Sequence, residues 1–293
     1  MNDEPKDNAL PFTNKGWFTE VAGEAGSAFS LEIRRKLHEE QTPYQKIEVW
    51  ETAHWGNLMA IDGYVMLSTR DNFLYHEMMA HVPLFSHADP KRVLIIGGGD
   101  CGTLREVLRH DTVEKAWQVD IDEGVTRASE KFFPELCESN ADPRAELHFA
   151  DGIRWVKEGA PGSVDVIIVD STDPVGPAEG LFTEAFYRDC HAMLADGGVL
   201  VQQSESPLLH MRILKEMHTA MRAAGYADVK SYQFPQPVYP SGWWSGTMAR
   251  KGTAFGGFRD AVNFETRYYT AGIHRGALAM PAFFDREIAE TVR

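Results

Sequence analysis

Residues 93–102 read Val-Leu-Ile-Ile-Gly-Gly-Gly-Asp-Cys-Gly. An apolar run ends in three glycines and an aspartate, and a helical pattern, Thr103 to Arg109, follows. Strand, glycine turn and helix in that order bring the backbone of an α/β fold close to a nucleotide-like ligand. Glycines there, beginning with Gly97, remove the Cβ atoms that would hold the ligand away. Asp100 sits at the tip of the turn. A carboxylate at that point repels a pyrophosphate, so the ligand expected here is positive at the turn.

The neighbouring strands repeat the theme. Lys115–Asp120 reads as a second strand ending in an acid, and Asp120 stands eighteen residues after Gly102, where a doubly wound fold holds ribose hydroxyls. Ala145–Ala150 reads as a third strand, followed by Asp151-Gly152. Val164–Val169 is the continuous apolar run of a buried parallel strand and ends in Asp170-Ser171-Thr172-Asp173-Pro174. Four strands thus each lead into an acid: Asp100, Asp120, Asp151 and Asp170. Any one of them could be a helix cap. Together, at the carboxyl ends of strands, they predict a ligand site.

The rest of the chain frames this sheet. Residues 1–16 are expected to be a disordered start, and Met1–Leu10 lacks the apolar core of a signal peptide. Residues 17–90 read as an N-terminal β unit plus a linking helix. Ala28–Arg34, Gln45–Glu51 and Asn57–Ile61 are its expected strands, Asp62-Gly63 is a hairpin turn, and Tyr64–Ser68 is the return strand. Arg70 to Phe85 is the helix. Residues 91–293 read as a Rossmann-like catalytic domain in which strands alternate with helices. Gly197–Gln203 is a fifth strand, Phe182–Leu194 and Leu209–Ala224 are helices, and Asp228–Gln233 with Ser245–Arg250 form an antiparallel edge pair. Beyond Phe255 only Pro281–Val292 carries a signal, that of a helix.

Composition narrows the function. The net charge of −14 disfavours nucleic acid and anionic membranes as partners and suits a cationic substrate. Cys101, Cys137 and Cys190 are odd in number and widely spaced, which predicts reduced thiols in a cytoplasm. No metal-ligand spacing stands out, and no apolar run is long enough to span a bilayer.

The chemistry expected at the strand ends is that of amines. Asp170 is placed to act as a general base, because neighbouring carboxylates such as Asp173 raise its proton affinity. Tyr75-His76-Glu77, Gln203-Ser204-Glu205 and Tyr239-Pro240-Ser241-Gly242-Trp243-Trp244 gather aromatic rings and acids around the mouth, a lining suited to an alkyl ammonium. For His76 a purely structural, hydrogen-bonded role fits the pattern equally well. Cys101 begins a helix beside the ligand turn, which fits either a modifiable thiol that bound ligand protects or a small buried residue filling the place of a glycine.

From Gly16 to Lys251 the chain resembles the polyamine aminopropyltransferases. The resemblance rests on Tyr44-Gln45, Ile61-Asp62-Gly63, Arg70-Asp71 with Tyr75-His76-Glu77-Met78, Gly97-Gly98-Gly99-Asp100, Asp120, Asp151-Gly152, Asp170 to Pro174 with Gly176-Pro177, and Tyr239-Pro240-Ser241-Gly242. It implies an α/β fold, with a Rossmann-like, methyltransferase-type sheet joined to a small N-terminal antiparallel β unit. It implies aminopropyl transfer from decarboxylated S-adenosylmethionine, a co-substrate, to putrescine, with no cofactor and no metal, in a homodimer or homotetramer. Gln45, Gly97, Asp120, Asp151, Gly152 and Pro177 would hold the nucleoside. His76, Asp100, Ser171, Thr172, Asp173, Tyr75 and Tyr239 would hold the amine portions, and Asp170 would accept the proton. Cys101 and Met66 depart from the family, which often has Gly and Gln there. Alternatives are N-methylation of an amine by S-adenosylmethionine, and aminopropyl transfer to cadaverine or agmatine.

Overall fold

The computed structural model describes residues 16–173 and 176–291. Residues 1–15 of the expected disordered start, Pro174 and the side chain of Pro177 lie outside the described residues.

The first unit is a five-stranded antiparallel sheet in the order β1-β2-β3-β4-β5. Its strands are β1 (Trp17–Ala22), β2 (Ser27–Gln41), β3 (Lys46–Thr52), β4 (Asn57–Ile61) and β5 (Tyr64–Ser68). The β4–β5 hairpin turns at Asp62 and Gly63, with φ of 51° and 88°. Positive φ at both central residues is what a tight right-twisting hairpin requires, so the Asp-Gly signal is met. β1 is a strand that sequence patterning did not reveal, and β2 runs eight residues longer than Ala28–Arg34. β2 is largely exposed, and the buried face of β1 carries Glu20 beside Phe18, so neither shows an alternating apolar pattern in its sequence.

Helix α1 (Asn72–Ser86) follows, buried along nearly its whole length. It was grouped with the β unit, yet it packs against the second sheet, where Met78, Met79, Val82 and Phe85 join Val93, Ile95, Val166 and Ile168 in one core.

The second sheet has seven strands in the order β11-β12-β10-β9-β6-β7-β8. Its first elements are β6 (Arg92–Gly97), α2 (Gly102–Leu108), β7 (Lys115–Asp120), α3 (Glu123–Phe132), β8 (Ala145–Phe149), α4 (Gly152–Glu158) and β9 (Val164–Asp170). There follow α5 (Glu184–Met193), β10 (Leu194–Gln203), α6 (Met211–Ala223), β11 (Asp228–Pro235), β12 (Trp243–Arg250), α7 (Ala271–Ala277) and α8 (Ala282–Glu290). β6 to β10 are parallel, and β12 inserts antiparallel between β10 and β11. Val166, Ile167, Ile168 and Val169 of β9 are fully buried, each contributing about 1.5–3 kcal/mol. The neighbours β6 and β9 end in register, Gly97 opposite Asp170, which sets the glycine turn against the acid loop.

Beyond Phe255 the expected final helix is present as α8, and the stretch before it, silent in the sequence, contains α7, capped by Thr270 on the Ile273 N–H at 3.0 Å. The Glu77 carboxylate anchors this segment by accepting the backbone N–H groups of Arg267, Tyr268 and Tyr269 at 2.7–2.8 Å.

Candidate active site

The site is built where β6, β7 and β9 end. Gly97 and Gly98 have φ of 80° and 66°, and a Cβ on Gly97 would overlap the Asp170 carbonyl. The Gly98 N–H donates to that carbonyl at 2.8 Å, locking the two turns together. Glycine is needed here for both conformation and space.

A cleft of about 1070 Å³ opens above these turns. Gln45, Gly97, Asp120, Asp151 and Gly152 line it, as do Asp100, Asp170, Ser171, Thr172, Tyr75 and Tyr239. Met59, Ile61, Ile96, Val119, Val125, Ala178 and Leu181 give it apolar walls, a lining that suits the flat rings of a nucleoside. Asp120 accepts the Asp122 N–H at 2.8 Å, and burial pushes its pKa up to about 6. Asp151 both borders the cleft and caps α4, accepting from Ile153 and Arg154 at 2.9 and 3.3 Å. Capping and ligand placement are therefore combined at this acid. The cap of α3 is Asp122, not Asp120.

A narrower chamber of about 360 Å³ continues from the cleft, sharing Met66, Tyr75, Ser171, Thr172 and Tyr239 with it. Asp173, Glu20, Gln203 and Trp244 are also among its lining residues. Asp173 is pushed up to about 8 by burial and by the adjoining Glu205 carboxyl, with which it shares a hydrogen bond. Glu20, held by the Val65 N–H at 2.7 Å, is pushed up to about 7, chiefly by burial. Glu205 is buried, shifted up by desolvation and paired with His210 at 3.1 Å. Burial thus raises the proton affinity of all three carboxyls, and a cation arriving beside them lowers it again.

Asp170 is gripped on both oxygens. Tyr75 donates to Oδ1 and Thr103 to Oδ2, each at 2.6 Å. Desolvation, then the Asp100 charge, raise its pKa. That combination, a fixed carboxylate with raised proton affinity, is what a general base needs. The Tyr239 hydroxyl donates to the Met66 carbonyl at 2.6 Å, and its ring meets Tyr75 edge-on at 5.9 Å.

Asp100 lies between the two kinds of contact. The Gly102 N–H donates to Oδ1 at 2.7 Å, and His76 Nε2 reaches Oδ2 at 3.2 Å. Burial alone would raise the Asp100 pKa and lower that of His76, but their mutual attraction wins, holding Asp100 low and His76 high. His76 is buried behind Asp100 and does not line the cleft; it supports the carboxylate, as the structural reading of this residue expects. Glu77, one residue on, turns to residues 267–269 and serves the fold. Cys101 stands at the start of α2, as expected, and is fully buried, its sulfur against the Gly99 carbonyl and the Gln118 amide, which fits the reading of a small buried residue and not that of an accessible thiol.

Sequence reasoning missed Glu20 and Thr103. Glu20 sits on the unrecognised strand β1. Thr103 is the second residue of α2, where only its spacing from Asp100 could have marked it.

Comparison with known proteins agrees with this geometry. Residues 72–255 match the spermine/spermidine synthase domain, and residues 16–69 match the spermidine synthase tetramerisation domain. The polyamine aminopropyltransferase of Methylococcus capsulatus is 62% identical over 279 residues, covering 94% of this chain and 98% of that protein. That of Xanthomonas campestris pv. campestris is 57% identical, covering 95% and 99%. A solved spermidine synthase in complex with the transition state analogue AdoDATO superposes with a TM-score of 0.89 at 36% identity, over 94% of this chain and 95% of that one. The spermidine synthase from Thermotoga maritima gives a TM-score of 0.88. With its antiparallel β unit, its Rossmann-like sheet and its ring of strand-end acids, the chain belongs to the spermidine synthase family and is a polyamine aminopropyltransferase.

Proposed function

We propose that this enzyme moves the aminopropyl group of decarboxylated S-adenosylmethionine to putrescine, yielding spermidine and methylthioadenosine. The observation that carries the reading is the pair of joined chambers: a wide apolar one beside Asp120, and a narrow one ended by Glu20 and Asp173. The first suits an adenosine, and the second suits a short alkyl chain that ends in an ammonium.

In this reading Gln45, Asp120, Asp151, Gly152 and Pro177 hold the nucleoside. Asp100, propped by His76, takes the ammonium of the aminopropyl arm. The distal ammonium of the diamine goes to Asp173 and Glu20, backed by Glu205. Tyr75, Tyr239, Ser171 and Thr172 guide the chain between them. The near amine arrives protonated, since an alkyl ammonium has a pKa of about 10.4, and gives its proton to Asp170. Its lone pair then attacks the carbon beside the sulfonium. The N–C bond forms, the C–S bond breaks, and the pair goes to sulfur, leaving a neutral thioether. Charge and atoms balance with no cofactor. Alignment supplies up to about 7–11 kcal/mol of the barrier reduction.

Ordinary S-adenosylmethionine would bring a carboxylate among these acids without a partner, which disfavours the methyltransferase reading. Mass spectrometry of products from decarboxylated S-adenosylmethionine with putrescine, cadaverine and agmatine tests the proposal. Spermidine as the main product supports it, whereas methyl transfer or a clear preference for another amine refutes it.

The assembly in this reading is a homotetramer or homodimer formed through the N-terminal sheet, in a cytoplasm. Trp17 and Val21 are exposed on its edge strand β1, a face that association would cover. Light scattering of the purified protein decides the number of subunits.

A further inference from the structure

Where α6 crosses the edge of the second sheet, the buried interface holds a row of polar side chains. His218 of α6, Ser231 of β11, Thr247 and Ser245 of β12, and Ser204 just after β10 are all buried. An unbroken line of hydrogen bonds joins them. His218 Nε2 meets Ser231 Oγ at 2.8 Å, and Ser231 Oγ meets Thr247 Oγ1 at 2.8 Å. Thr247 Oγ1 meets Ser204 Oγ at 2.9 Å, and Ser204 Oγ meets Ser245 Oγ at 2.9 Å. The Ser245 hydroxyl ends the line on the Glu205 carbonyl at 2.7 Å.

The two ends fix one direction. At the outer end the Arg222 guanidinium, which can only donate, lies 3.4 Å from His218 Nδ1. Burial, aided by the Arg222 charge, keeps that ring neutral, with its pKa down to about 3. The ring proton is therefore on Nε2 and goes to Ser231. At the inner end Ser245 gives its one proton to a carbonyl, so it accepts from Ser204, which accepts from Thr247, which accepts from Ser231. Hydrogen bonds aligned head to tail polarise one another, and a break at any link weakens the rest. The line reaches a strained corner. Glu205 has a φ of 65°, a conformation that a non-glycine residue keeps only where its surroundings hold it. Its N–H donates to Gln203 Oε1 at 3.2 Å, and Gln203 Nε2 donates to its carboxylate at 3.3 Å. Gln203 lines the narrow chamber.

We propose that His218, Ser231 and Thr247 are positioning residues for the amine acceptor: the hydroxyl line holds the Gln203–Glu205 corner, and with it the wall of the narrow chamber along which the diamine lies. None of the three lines the cleft or the chamber. They act through Ser204 and Ser245 on the Glu205 backbone, and through Glu205 on the Gln203 amide. The consequence for the diamine rests on the acceptor reading of that chamber. The hold on the corner does not, and it is read without substrate.

Thr247→Val keeps the shape and removes the hydroxyl, whereas Thr247→Ser keeps the hydroxyl and removes a methyl. Backbone hydrogen exchange of the full-length, ligand-free protein, read by mass spectrometry, should quicken over residues 203–206 in Thr247→Val and not in Thr247→Ser. The KM for putrescine should rise about three- to tenfold in Thr247→Val, the scale of one lost hydrogen bond, with kcat and the KM for decarboxylated S-adenosylmethionine near normal. Thr247→Ser should match the parent in both KM values, even where its melting temperature falls. Ser231→Ala, one link further out, should shift the exchange and the putrescine KM in the same direction by a smaller factor. The proposal is overturned if exchange over 203–206 is unchanged in Thr247→Val, or if both KM values rise together. It is equally overturned if Thr247→Ser is as impaired as Thr247→Val, or if Ser231→Ala behaves as the parent. A parent that makes no product from putrescine refutes the acceptor reading instead, and the exchange result alone then decides the corner.

Discussion

At the scale of single residues, the site separates two tasks that carboxylates perform. Asp170 is clamped by two hydroxyls and carries a raised proton affinity, whereas Asp100 is paired with His76 and stays ionised. Neighbouring acids pushed apart in this way take different roles. Asp170→Asn keeps the shape and removes the base. Its turnover should fall about 10²-fold or more, while methylthioadenosine binding, read by calorimetry, stays near normal. Retention of a tenth of the activity or more would assign the proton elsewhere. Asp100→Asn should weaken binding of decarboxylated S-adenosylmethionine and narrow its advantage over S-adenosylmethionine, because the charge that repels the carboxylate of the latter is gone. Titration of both proteins with both ligands measures this; an unchanged gap would contradict it.

At the scale of elements, the register of β6 and β9 and the glycine turn after β6 determine where Asp100 and Asp170 land. Those features were legible because continuous apolar runs, glycine triplets and acids at strand ends are local signals. The amine chamber was less so. Tyr239, Asp173 and the Gln203-Ser204-Glu205 segment were marked, but Glu20 lies on a short strand with no alternating apolar pattern. The direction of His76 and Glu77 was also hidden. Adjacent helical residues point about 100° apart, and which of the two faces the cleft depends on the packing of α1 against α2. That packing gives a test. A Cβ on Gly102 would overlap the His76 ring, so Gly102→Ala should force His76 from Asp100. Overpacking of this kind costs about 1–3 kcal/mol. Thermal denaturation should show the loss, together with a raised KM for the aminopropyl donor; a variant matching the parent in both would show that the ring moves freely.

At the scale of the whole molecule, an unliganded cleft full of acids is a strain that pH reveals. Asp173, Glu20 and Asp120 titrate at about 8, 7 and 6 when folded, against about 4 when unfolded. The folded state therefore binds more protons between those limits. Its added stability is fully present below about pH 4 and is lost as pH rises through 6 to 8. The melting temperature of the ligand-free protein should fall over that span, and Asp173→Asn should flatten the slope; a parent curve that rises from pH 6 to 8 would contradict the assignment. Putrescine binding should expel protons, seen as a dependence of the calorimetric heat on the buffer. The Glu77 anchor carries a different consequence, one of timing during synthesis. Until residues 267–269 have left the ribosome, the helix that presents Tyr75 and His76 holds a buried carboxylate whose three backbone donors do not yet exist. Leaving such a group unsatisfied costs about 1–3 kcal/mol or more. The catalytic helix is thus completed late, by a stretch of chain that contributes no side chain to the reaction, and a nascent polypeptide is expected to gain its competence to bind nucleoside only as its last few dozen residues emerge.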